Sequence, residues 1–203
     1  MTLSTYTRLL NADDAGQYRA LRQSILEQGG GKYFSDSYIR ESSFKAVDWK
    51  NWCSPSPQHC IIGTFHGQRL IGIMGIIAYG PAQDCAAEWE LTWVDPEYRG
   101  MGISRASYQI EESWTVAHGY KKAVVFIRED NTRSMAIRKK QGFIFQHDKS
   151  ETWADGSVAK ASRFEKTLTT SQTQRERALN YLVQTLVDFV GTLDAVHLNI
   201  QNG

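Results

Sequence analysis

Cysteine, proline and long apolar runs are all scarce in this chain of 203 residues, which has three cysteines and four prolines. Cys53, Cys60 and Cys85 form an odd set without a Cys-x-x-Cys spacing. They encode neither a disulfide framework nor a zinc site, and no metal is expected; reduced thiols fit a cytoplasmic protein. No segment reaches the roughly 18 consecutive apolar residues of a spanning helix. Neither charge dominates, with 23 Lys and Arg against 22 Asp and Glu. That balance gives no electrostatic reason for a nucleic-acid or membrane partner. The first residues lack a basic stretch followed by an apolar one, so no signal peptide is expected. No internal repeat or low-complexity tract interrupts the chain. What remains is ordinary globular material, 41% hydrophobic and 22% charged, enough for one domain with a core plus an appendage.

The pattern along the chain reads as strands and helices in alternation. A strand near 5–10 leads into Asn11, Asp13 and Asp14, a helix-start signature of capping side chains and early acids. The helix that follows carries Tyr18, Leu21, Ile25 and Leu26 at helical spacing and stops at Gly29-Gly30-Gly31. Residues 33–50 contain a second short helix, and 52–57 read as a loop. Residues 59–65 and 69–79 form a hairpin about His66-Gly67-Gln68. A strand over 88–94, a helix over 104–118 stopped by Gly119, a strand over 122–127 and a helix from Asn131 to Gly142 come next. Two strands, at 143–145 and 159–168, complete the domain. The order predicts an α/β fold with a mixed sheet.

Beyond 168 the character changes. Leu179, Leu182, Val183, Leu186, Val187, Val190 and Leu193 recur at helical spacing, and Thr173 and Glu176 are placed for a capping box. We therefore divide the chain into a domain over 1–168 and an amphipathic helical extension over 169–203. The apolar stripe covers the chain's own core, or forms a homodimer through 173–193, or meets another partner.

Arg99-Gly100-Met101-Gly102-Ile103-Ser104 lies where the 88–94 strand gives way to a helix. Glycines there allow close backbone approach, and the unpaired N–H groups of a first helical turn make a seat for a phosphate. Gly-x-Gly alone is a weak signal. A dinucleotide fingerprint would need a third glycine where Arg105 stands, early in the chain, and a Walker loop would need Gly-Lys-Ser/Thr. Neither is present.

The stretch Val94 to Ser104 resembles the GNAT superfamily of acyl-CoA-dependent N-acetyltransferases, following its pattern of Arg/Gln, two residues, Gly, one residue, Gly/Ala. A second block, Asn131 to Phe143, resembles the family's asparagine-initiated helix ending in Lys-x-Gly-Phe, at the expected distance downstream. Asp13-Asp14 to Leu21-Arg22 is a softer echo of its first helix. The resemblance covers about residues 5–168. It implies a central, mostly antiparallel twisted sheet flanked by helices, with the tail outside it. Ser104 departs from the usual small Gly or Ala, and Arg138 stands where many members place a tyrosine acid.

The resemblance also implies acetyl-CoA as co-substrate and a primary amine as acceptor, attacking directly in a ternary complex. Trp93, Val94, Arg99, Gly100, Met101, Gly102, Ile103, Ser104, Asn131 and Arg138 are the residues expected at the cofactor. The pantetheine arm would extend the sheet through main-chain bonds near Trp93 and Val94, and the Val94 N–H would polarise the thioester carbonyl. Glu88 is the candidate base for the acceptor ammonium. Strict alternation would put Glu88, Glu90 and Thr92 on one face, opposite Trp89, Leu91 and Trp93. Arg138, first of an Arg-Lys-Lys run, is expected to face solvent or to touch a CoA phosphate. Asn131 is expected to cap Ser134. Tyr33, Phe34, Asp36, Tyr38 and Glu41 form the expected acceptor wall, whose aromatic and acidic groups favour a small cationic amine. A protein lysine or N-terminal acceptor, and an acyl-CoA-binding module without turnover, are the competing readings.

Overall fold

A computed structural model describes residues 5–27, 30–34, 41, 43–153, 155–168, 172–173 and 175–183. The elements run β1 (Thr5–Leu9), α1 (Ala15–Glu27), α2 (Ala46–Cys53), β2 (His59–His66), β3 (Arg69–Tyr79), β4 (Ala86–Val94), α3 (Ile103–Ala117), β5 (Lys122–Arg128), α4 (Thr132–Lys140), β6 (Ile144–Thr152) and β7 (Val158–Thr167). Residues 172–173 and 175–183 are helical, and we call the latter α5. The expected order of elements is therefore found, with ends displaced by a few residues. The largest displacement is in β6, expected over 143–145 and running from Ile144 to Thr152, while α2 runs into the stretch expected as a loop.

The strands form one seven-stranded sheet in the order β1-β2-β3-β4-β5-β7-β6. All neighbours are antiparallel except β4 and β5. Each face carries its own core. On one, Cys60, Ile62, Ile76, Ala87, Trp89, Val125 and Phe164 meet Ile110 and Trp114 of α3. On the other, Ile61, Phe65, Ile73 and Leu91 meet Tyr18 and Ile25 of α1 and Trp49 of α2. Full burial of each such side chain contributes about 1.5–3 kcal/mol, so both faces are strongly held. Continuous burial along β2 and β3 follows from helices on both sides, which explains their unbroken apolar sequences.

Local chemistry fixes the entry to α1. Asn11 accepts from the Asp13 N–H at 2.8 Å, and Asp14 accepts from the Asn11 N–H at 2.9 Å. Arg8 on β1 then clamps Asp14 with two bonds, at 2.6 and 2.7 Å, tying helix start to strand.

The described part of the tail packs on the chain's own core: Ala178 and Leu182 join the α3-side cluster with Leu168 and Trp114. Leu179, Tyr181 and Val183 point outward. Thr173 is already helical, so the helix begins before the expected capping box. Leu186, Val187, Val190 and Leu193 lie outside the described residues.

Candidate active site

The site grows from one irregular strand. β4 pairs with β5 only over Ala86, Ala87 and Glu88, which face Lys122, Ala123 and Val124. Beyond Glu88 the two strands part, and among the described residues β4 keeps β3 alone as strand neighbour. Its other edge is therefore open from Glu90 to Val94. The Asp95 N–H donates to the Ile71 carbonyl at 2.8 Å, in line with the register Val94↔Gly72 and Trp93↔Ile73. Antiparallel pairing alternates, so Val94 and Thr92 turn their main-chain groups away from β3 while Trp93 turns its groups toward β3. This refines the expected main-chain contacts: the ladder leaves Thr92 and Val94 for an extended ligand and occupies Trp93. The Val94 carbonyl is taken by Arg99 Nε at 2.9 Å, which leaves the Val94 N–H.

Two residues of β4 oppose one of β3 between the pairs Ile73↔Trp93 and Gly75↔Glu90. Leu91 takes up the extra length with φ of +58°, the left-handed region that costs about a kcal/mol for a residue with a Cβ. The bulge overturns the expected alternation. Trp89 packs on the α3 side, whereas Leu91 and Trp93 pack on the α1 side. Glu88 and Glu90 are in register with Ile77 and Gly75, and through them with His59 and Ile61. Both carboxylates are thus half-buried on the α1 side. Thr92 instead faces Arg138 on the α3 side.

The open edge ends at the glycine loop. Asp95 caps a short turn, accepting from the Glu97 N–H at 3.1 Å, and is anchored by Arg69 at 2.7 Å. Gly100 and Gly102 then adopt φ of +85° and +78°, and a Cβ on either would meet no neighbour within 4 Å. Their need is conformational, since the left-handed region strains other residues. Gly102 is the N-cap of α3 and supplies no side-chain cap. The first N–H groups of the 15-residue helix, at Ile103 and Ser104, therefore face outward at its positive end. Met101 and Ser104 are exposed, while Ile103 is buried as an anchor. The loop residues fit a phosphate-bearing ligand whose extended arm runs back along β4.

Arg138 is the main departure from expectation. It is neither solvated nor turned toward a phosphate seat: the residue is 5% exposed. Its guanidinium carbon lies 5.4 Å from the Trp89 ring centre and 5.5 Å from that of Phe143. It pairs with buried Glu111 at 3.2 Å and donates to Gln141 Oε1 at 3.1 Å and Thr92 Oγ1 at 3.0 Å. Burial pushes the Glu111 carboxyl up, with Arg138 pulling it down. The flanking lysines led to the expectation of solvent, but helical rotation turns Arg138 inward while Lys139 and Lys140 stay exposed.

Asn131 accepts from the Ser134 N–H at 3.2 Å, the expected cap. The Tyr108 hydroxyl donates to the Gln141 carbonyl at 3.3 Å and accepts from Lys166 at 2.6 Å, which commits it to packing between α3, α4 and β7. The acceptor wall is also corrected. Glu41 is buried against Arg22 at 2.8 Å, and Phe34 is buried under the same guanidinium. Neither can present its charge or ring to a substrate. Tyr33 is exposed, and Asp36 and Tyr38 lie outside the described residues. His147 and Asp148 are exposed on β6. Sequence reasoning gives Glu111 no part and places Thr92 only by alternation, without its contact to Arg138.

A parted strand pair, a bulge and a glycine-opened helix define a class of protein that holds an extended, phosphate-bearing ligand against a sheet edge. The model of the acetyltransferase (GNAT) family matches residues 22–143, and the chain belongs to that family. No curated protein matches it. Among solved structures, a GNAT-family acetyltransferase from Streptococcus pneumoniae superposes with a TM-score of 0.68 at 13% identity, covering 82% of this chain and 100% of that one. The PaiA N-acetyltransferase of Thermoplasma acidophilum, solved in complex with coenzyme A, gives 0.63 at 16% identity over 81% and 99% of the two chains. A spermidine N-acetyltransferase chimera from Vibrio cholerae and a human enzyme gives 0.60 at 14% identity over 87% and 98%. At these identities the likeness is one of fold. Among the described residues no group of His, Cys, Asp and Glu could hold a metal, and no helix is long and apolar enough to cross a membrane.

Proposed function

We propose that this chain transfers an acetyl group from acetyl-CoA to the primary amine of a small molecule by direct attack in a ternary complex. One observation carries the reading: the open edge of β4 leads through one short turn into the glycine loop. The thioester supplies an activated acetyl group when bound. The N–H groups at the start of α3, with Gly100 and Gly102 giving access, hold the pyrophosphate. The N–H groups of Thr92 and Val94 bond the pantetheine arm, and that of Val94 stabilises negative charge on the carbonyl oxygen. Asn131 and Arg138 act by shaping the groove, one as helix cap and the other as a buried tie between α4 and β4.

The acceptor ammonium must lose a proton before its nitrogen can attack. Glu88 stands where β4 and β5 part, with Glu90 on the same face. Two half-buried carboxylates attract a cationic amine and give it a base. Trp52, stacked on His59 with ring centres 5.2 Å apart, and Phe44 line the same side of the sheet, which favours a compact amine over a protein terminus or lysine. Two free thiols sealed in the core, at Cys53 and Cys60, support a cytoplasmic location.

Incubation with acetyl-CoA and a panel of small amines, read as free thiol, should give acceptor-dependent release. Release with peptides alone would move the acceptor to a protein. Tight CoA binding without release across amines, peptides and lysate would favour the reading as a binding module, which the burial of Arg138 at the tyrosine position supports.

A further inference from the structure

Arg138 has five N–H donors and no acceptor. Its contact with Thr92 Oγ1 at 3.0 Å therefore fixes the direction of that bond: the threonine oxygen accepts. The threonine's own hydrogen must point elsewhere. Arg138 is the hydroxyl's one hydrogen-bond partner among the described residues. Thr92 is itself exposed, next to the Leu91 bulge and past the point where β4 and β5 part. The guanidinium behind it is held on three sides, by Glu111, by Gln141 and by the Trp89 and Phe143 rings. A buried cation without Glu111 would be costly, so the pair is what lets a positive charge stand under an exposed hydroxyl.

We propose that Thr92 is a catalytic residue whose hydroxyl donates a hydrogen bond to the sulfur of CoA as it leaves, and that Arg138 is the positioning residue that aims and polarises it. The inference rests on the reading that the acyl-CoA arm lies along the open edge of β4. In the step, the amine nitrogen forms a bond to the carbonyl carbon and gives its proton to a carboxylate or water. The C–S bond breaks and its electron pair goes to sulfur. The threonine keeps its proton and shares it, and the thiolate takes a proton from water after release. A thiol with pKa near 8.5 is a good enough leaving group for this to suffice. A hydrogen bond to a charged partner is stronger than one between neutral groups, so the contact strengthens as charge develops on sulfur.

The test compares wild type, Thr92→Val and Thr92→Ser, first in binding and then in turnover. Affinities for CoA and for desulfo-CoA are measured between pH 6.5 and 9. In wild type the preference for CoA should rise about fivefold over that range, because the thiolate is stabilised on the protein. It should rise likewise in Thr92→Ser and stay within about twofold in Thr92→Val. In turnover, Thr92→Val should lose about tenfold in kcat with little change in the KM for acetyl-CoA, and Thr92→Ser should restore it. Arg138→Lys should lower kcat in the wild-type background and add nothing in Thr92→Val. A Thr92→Val protein with wild-type pH dependence and wild-type kcat would overturn the proposal while leaving the acetyl-CoA reading intact. A wild type that binds neither CoA nor desulfo-CoA would overturn that reading, and this inference with it.

Discussion

The two ends of β4 carry different work because they are built differently. From Ala86 to Glu88 the strand has a neighbour on each side and behaves as sheet interior. From Leu91 to Val94 it has one neighbour, a bulge and an open edge. The paired end holds the Glu88 carboxylate in a fixed position, which suits a base. The open end leaves main-chain groups unspent, which suits the binding of an extended arm. One strand thereby offers acceptor chemistry at one end and donor chemistry at the other, with the bulge between them sending Glu90 and Thr92 to opposite faces.

Substitutions at each end should separate these roles. Glu88→Gln keeps the shape and removes the base, and we expect kcat to fall about 100-fold with CoA affinity within twofold. Unchanged turnover in steady-state assays would remove Glu88 from the mechanism and leave Glu90 to be tested. At the other end, Gly102→Val places a β-branched residue at φ of +78°, and calorimetry should show CoA affinity about tenfold weaker, with kcat at saturation nearly kept. An equal affinity would mean that the loop does not hold the phosphate. A smaller effect concerns the walls on which both ends rest. Burial raises the Cys53 thiol to about 12 and pushes Cys60 up as well, so at pH 8 both stay neutral and enclosed. Titration with a chromogenic disulfide should find one reactive thiol, Cys85, in the native protein and three after unfolding. Fast reaction at three sites would show that the cores flanking β4 open readily. Removal of residues after Leu168 should leave the sedimenting mass that of the same oligomer if α5 serves only its own core, and lower it if 173–193 forms a homodimer.

Features that depend on near neighbours in sequence were legible. The Asn131 cap, the glycines at 100 and 102 and the strand that precedes them follow from residue types at fixed short spacing. The order of strands and helices along the chain follows from apolar periodicity and turn signals. Leu91 shows the limit. A bulge is defined by what the partner strand does, so nothing in Glu88 to Val94 alone announces that alternation breaks there, and Thr92 was assigned to the wrong face. Arg138 shows another limit. Three basic residues in a row look solvated, and only the placement of Glu111 one helix away, 27 positions earlier, turns the first of them inward. Glu41 fails in the same manner, because its partner Arg22 is 19 positions away and the pair closes only when α1 is packed.

Amide hydrogen exchange along β4 and into α3, with and without saturating CoA, tests the division of this strand most directly. The account predicts that CoA slows exchange at the amides of Thr92, Val94, Ile103 and Ser104 at least tenfold and leaves Ala86 to Glu88 unchanged. Protection confined to Ala86–Glu88, or binding that leaves Thr92, Val94, Ile103 and Ser104 as they were, would contradict it.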